Sequence, residues 1–190
     1  MHLIAHNMKT FTRYIAIALA LTSLSGYCSE KVNVSIYSVC SNEYVCDSLG
    51  VDFEICDIAP GDTAIVSEKI NEIAFPENIS WTWEPRIDSI STYNALFYFV
   101  QPLLTERVAI NTITAEPYWG EDVVNISFSF HDASIFEKLT RDNIGKRLAV
   151  AIDGAIYNSP RVNCPIESGR CMVTTRVCNI PRSLTGLYKK

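Results

Sequence analysis

Val123–Gly154 reads VVNISFSFHDASIFEKLTRDNIGKRLAVAIDG, and this stretch decides the fold class. Val124, Ile126, Phe128 and Phe130 alternate with Asn125, Ser127 and Ser129, the period-two pattern of a strand with one buried face. The period then becomes helical. Asp132 is placed to cap a helix over Ala133–Ile144, in which Ile135, Phe136 and Leu139 recur at helical spacing and Gly145 supplies the stop. Arg147–Ile152 returns to a strand and ends at Asp153-Gly154, a hairpin turn signal. With Ala155–Val162 and Arg170–Val177 as further strands, the order is strand, helix, strand, strand, strand. This predicts an α+β fold, an antiparallel sheet with one main helix packed on a face.

Upstream, Val32, Val34 and Ile36 alternate with Asn33 and Ser35 as a half-buried strand, and cysteine-bearing loops follow. Ala64–Ile73 is read as a short helix, Ser80–Glu84 as a strand with Trp81 and Trp83 on one face, and Ser91–Val100 as a strand apolar on both faces. Paired tryptophans can form a stacking platform, but burial in a core is the better expectation.

The first 27 residues have the character of an export signal. Lys9 and Arg13 give a positive start, Tyr14–Leu24 an uncharged and largely apolar run, and Ser23, Ser25 and Gly26 small residues for processing. The apolar run is shorter than the roughly 20 residues a spanning helix needs. Cys28 stands where a bacterial lipoprotein carries its lipidated cysteine, with Ser29 next to it, of the type that directs lipoproteins to the outer membrane. Tyr27 breaks the small-residue box, so cleavage near Ser25 or Gly26 is the alternative.

Charge divides the remainder. Residues 28–100 hold 3 basic and 12 acidic residues, a net of −9, whereas residues 101–190 hold 11 and 9, a net of +2. The expected organisation is therefore a signal peptide at 1–27, an acidic cysteine-containing N-terminal unit at 28–100 and the sheet-and-helix domain at 101–190. A whole-chain balance of 16 basic and 21 acidic residues argues against nucleic-acid binding.

Seven cysteines is an odd number, and using Cys28 for lipid leaves six. Cys164 and Cys171 flank Pro-Ile-Glu-Ser-Gly-Arg between two strand-like runs, so a hairpin carrying a Cys164–Cys171 disulfide is expected. Cys40, Cys46, Cys56 and Cys178 would then form one bond inside the N-terminal cluster and one to the C-terminus. A metal is not expected, because no CxxC occurs and His131 is the only histidine beyond the signal.

No catalytic residue is expected either. His131 lies at a strand-to-helix corner and reads as a surface residue, no GxSxG presents a nucleophile, and Glu121 and Asp122 are adjacent acids on a loop. No Gly-rich phosphate loop or other cofactor motif is present.

Leu139-Thr140, Asn143, Gly145-Lys146, Leu148-Ala149-Val150, Ile152-Asp153-Gly154, Ser159-Pro160 and Gly169-Arg170 occur in an order and spacing that resembles the head of the first periplasmic domain of SecD, the protein-export subunit. Leu103-Leu104-Thr105 and Val124–Phe130 fall in register, and the resemblance covers about residues 93 to 177. It implies a SecD head-like fold and a non-catalytic periplasmic role in binding a translocated polypeptide or an envelope protein. Asn158 departs from the family's small residue, and Cys164 and Cys171 bracket a turn that usually lacks cysteine. No later stretch is long and apolar enough to span a bilayer, so motor activity does not carry over and membrane attachment would come only through Cys28.

Two partner classes follow. One is an extended polypeptide or envelope protein, with Tyr157 as the candidate binding residue on a strand apolar on both sides; coverage of that face by the N-terminal unit is the alternative. The other is a basic enzyme or toxin, blocked by the acidic unit in the manner of a secreted inhibitor or immunity protein.

Overall fold

A computed structural model describes residues 31–85, 92–118, 121–176 and 179–186. The expected signal, Cys28 and Cys178 lie outside the described residues. Eight strands form two antiparallel sheets: β1 (Lys31–Ser38), β2 (Ile79–Pro85), β3 (Tyr93–Phe99), β4 (Leu104–Tyr118), β5 (Glu121–Ser129), β6 (Leu148–Ile152), β7 (Ala155–Asn158) and β8 (Arg170–Arg176). The larger sheet has the order β7-β6-β1-β4-β5-β8, and β2 pairs with β3 in the smaller one. Among the described residues the α-helices are α1 (Asn42–Asp47), α2 (Thr63–Asn71) and α3 (Ala133–Asp142).

The strongest sequence patterns give the expected elements. Val124, Ile126 and Phe128 are fully buried on β5, and Asp132 caps α3 by accepting from the Ser134 amide at 2.9 Å. Hydrogen bonds from Ser134 hold the Asp132 carboxyl below its ordinary range. Phe136 and Leu139 turn into the core, where Phe136 meets Phe130 with ring centroids 4.6 Å apart. Ile135 instead faces solvent, one position off the buried stripe. Asp153 and Gly154 take φ of 49° and 86°, the double positive φ of a tight hairpin turn between β6 and β7. Asp153 also ties that turn to β1, exchanging backbone and side-chain bonds with Asn33, and accepts from the Ser183 hydroxyl at 2.6 Å.

Other expectations are corrected. The strand after the turn ends at Asn158 rather than Val162. The cysteine-bearing segment after β1 contains α1, capped by the Ser41 hydroxyl. Leu104–Tyr118, left unassigned by sequence, is the longest strand at 15 residues. It pairs with β1 through residues 104–109 and with β5 from Ile110 onward, across a bulge at Asn111 whose side chain donates to Ser129 at 2.8 Å. The bulge shifts the apolar phase from Val108 and Ile110 to Ile113, which hides the strand from a period-two search.

The sheet also draws strands from both sides of residue 100, because β1 lies between β6 and β4. The charge boundary is thus not a boundary between sheets. The larger core gathers Val32, Val34, Ile36, Val108, Ile126, Phe128, Val150 and Val173, with Leu184 entering from a C-terminal turn. A second core under the β2–β3 hairpin contains Val45, Val51, Ile70, Ile79 and Phe97. Trp81 and Trp83 pack against it, edge to face at 5.6 Å, and Trp83 donates to the Ser67 hydroxyl. Both are half-buried against that core rather than standing as a free stacking platform.

The Cys164–Cys171 disulfide is not found among the described residues. β8 pairs with β5 rather than forming a hairpin with the segment before Cys164, so Cys171 and Cys164 are not set opposite each other. Both are free thiols, Cys164 exposed and Cys171 packed against the larger core. Cys40 and Cys46 are free as well, so no bond joins the described cysteines of the N-terminal cluster.

Two glycines separate backbone strain from crowding. Gly154 and Gly169 both have positive φ, but a Cβ on Gly154 would meet nothing within 4 Å, whereas one on Gly169 would lie 3.0 Å from the Ala133 Cβ and 3.1 Å from its Cα. Gly154→Ala should cost about 1–2 kcal/mol for the left-handed conformation, and Gly169→Ala about 1–3 kcal/mol more for overpacking against α3. Denaturant melts of the two variants check this, and equal losses would contradict it.

Candidate binding groove

At Ser38 the chain leaves β1 and passes to the smaller sheet. Val39 bridges to Tyr98, and the Cys40 amide donates to the Phe97 carbonyl at 2.8 Å. Ser41 then starts α1, which sets Asn42 and Tyr44 beside Phe99. This is one wall of a groove. The other forms where α3 ends: Gly145, with φ 83°, donates to Val162 at 2.8 Å, and Val162 donates back to Lys146 at 2.9 Å. That exchange presents Lys146, Arg147 and Arg161 to the groove, whose volume is about 680 Å³. The size suits a ligand of side-chain or short-peptide dimensions.

A polar clamp joins the walls. Glu84, buried on β2, accepts from Arg147 at 2.6 Å and from the Ser159 hydroxyl at 2.5 Å, while Arg147 Nε donates to the Ser159 carbonyl at 2.9 Å. A buried carboxylate needs such partners, because unpaired it would carry the full desolvation penalty. The clamp holds the smaller sheet against the β6–β7 end of the larger one. It also fixes the direction of Arg147.

The groove's thiol among the described residues is Cys40, and burial pushes its pKa up. Among the described residues its lining contains no aspartate, glutamate or histidine. His131 lies elsewhere, exposed on the β5–α3 corner and paired with Glu106, whose carboxylate also accepts the His131 amide at 2.9 Å. No group of three or more potential metal ligands occurs among the described residues.

The sequence-selected residues scatter around this site. Tyr157 lies on β7, packed against the larger core, and burial together with nearby Asp153 raises its hydroxyl pKa. Cys40 is in the groove, Cys46 is exposed on α1, Cys56 packs against the second core, and the side chains of Glu121 and Asp122 are outside the described set. Sequence reasoning missed Glu84, Lys146 and Arg161. Their only signal was Gly145-Lys146 within the SecD-like pattern, since the fold brings them together from distant positions.

Residues 95–178 match the family model described as SecDF, P1 head subdomain. The protein translocase subunit SecDF of Thermus thermophilus is 35% identical over 72 residues, covering 38% of this chain and 10% of that protein. The protein translocase subunit SecD of Calditerrivibrio nitroreducens is 25% identical over 118 residues, 62% of this chain and 20% of that protein. A solved structure of SecDF, described as a membrane component that enhances protein export, aligns with a TM-score of 0.36 and 18% identity over 76% of this chain and 56% of that one. The chain carries a SecD head-like domain and spans a fifth or less of these two curated relatives.

Thiol chemistry tests the cysteine placement. Burial pushes the Cys171 thiol up to about 11, whereas Cys46 and Cys164 are exposed. Alkylation of the native, never-reduced protein at about pH 8 should label Cys46 and Cys164 and spare Cys171 until the protein unfolds. Mass mapping checks this, and a cross-linked Cys164–Cys171 peptide would contradict it.

Proposed function

We propose that this chain is a non-catalytic protein-export-related module that holds an extended polypeptide, or an extended segment of an envelope protein, in the groove between α1 and the α3–β6 loop. The observation that carries the reading is the groove itself, one wall uncharged with Tyr44 and Phe99 on it and the other cationic. The SecD head-like domain supports it, since Gly145, Lys146 and Arg147 on one wall fall inside the matched residues. The leader-like sequence at 1–27 supports a periplasmic location, with Cys28 as the candidate point of membrane attachment. Tyr157 belongs to this proposal only as a supporting residue of β7, because its packing is against the core.

A second reading is supported by a separate observation. Glu43, Asp47, Asp52, Glu54, Glu68 and Glu72 are all exposed on the segment 43–72, an acidic surface suited to a basic enzyme or toxin.

Site-specific photocrosslinking separates the two. A crosslinker at Asn42, on the groove wall, should capture a reduced and alkylated unfolded protein, while one at Lys138, paired with Asp142 on the solvent face of α3, should not. Equal capture from both positions, or capture only from Glu72 and only of a basic folded protein, would contradict the polypeptide reading.

A further inference from the structure

We infer that the groove selects polypeptide segments in which a carboxylate stands next to an apolar residue, and that Lys146 and Arg161 read the charge. The inference rests on the proposed polypeptide role and adds the class of segment.

Three cations, Lys146, Arg147 and Arg161, meet in a lining that has no carboxylate among the described residues, on a chain whose net charge is −5. The groove is a positive site on an acidic molecule, so its field attracts acidic segments and repels basic ones. Two of the cations are also uncommitted. Glu84 takes Arg147, but no ion pair among the described residues engages Lys146 or Arg161, and both are exposed.

The facing wall has the opposite character. Tyr44 and Phe99 set aromatic surface on it among the uncharged Ser38, Val39, Cys40, Ser41 and Asn42. A small inorganic anion would satisfy the cations and leave the aromatic wall wet, while a wholly apolar segment would cover that wall and leave the cations unpaired. An extended chain satisfies both, because successive side chains point to opposite sides. An acidic residue followed by an aromatic or aliphatic one therefore presents each to its matching wall.

The test uses fluorescein-labelled extended peptides of one apolar pattern, with glutamate, glutamine or lysine at the alternate positions. Anisotropy titrations are run against the whole chain and against the Lys146→Gln/Arg161→Gln variant. The glutamate peptide should bind roughly tenfold tighter than the glutamine peptide at low salt, the lysine peptide should bind weakest, and high salt should shrink the gap. In the double variant the gap should close with melting unchanged, since both side chains are exposed. Lys146→Gln and Arg161→Gln alone should each close part of it. Equal binding of the glutamate and glutamine peptides would overturn the charge selection and leave the polypeptide role standing. Binding of none would overturn both. A glutamate preference that survives in the double variant would place recognition elsewhere, and tighter binding to phosphatidylglycerol vesicles than to any peptide, lost in the double variant, would assign the cations to lipid.

Discussion

Everything in the fold depends on β1 being held on both sides. Residues 31–36 pair with β4 and residues 34–38 with β6, so Val34, Ser35 and Ile36 are bonded to two neighbours at once. Val32, Val34 and Ile36 are at most 1% exposed, each burial stabilising by roughly 1.5–3 kcal/mol relative to exposure. Without this strand, the β6–β7 hairpin and the β4–β5–β8 ribbon would share no sheet edge. Half of the larger core would then lose its partner face.

The groove is a consequence of the same strand. β1 ends at Ser38, and the chain crosses to the smaller sheet within two residues, because Cys40 already bonds to Phe97. The first wall is thus anchored to both cores. The Glu84, Arg147 and Ser159 clamp closes the assembly from the other side, where desolvation makes the carboxylate depend on its partners. Arg147 is 41% exposed, so its ion pair is partly screened, and its main effect is orientation. Lys146 and Arg161, spared from that pairing, give the groove its sign.

The legible parts of the fold were those in which local pattern and tertiary environment agree. The alternation on β5, the Asp132 cap and the Asp153-Gly154 turn each act over a few residues, and each appears where expected. The failures were non-local. β4 was hidden because its bulge resets the apolar phase at Asn111, and the partner of β8 cannot be read from a local window. The Cys164–Cys171 expectation assumed that strands close in sequence pair with each other, whereas Cys171 lies on a strand whose neighbour comes from residues 123–129. The candidate site was the least legible. Its residues come from the ends of β1, β3 and α3 and from the loop after β7, and their charges converge only after the sheet has formed.

Native-state hydrogen exchange across rising denaturant tests the role of β1 most directly. The β1 amides that bond to β4 and β6 should exchange only with the global unfolding of the larger sheet, at the same free energy and denaturant dependence as the amides of β4 and β6. If β1 instead exchanged at markedly lower denaturant while β4, β5 and β6 stayed protected, the sheet would stand without it, and β1 could not be the strand that joins the two halves.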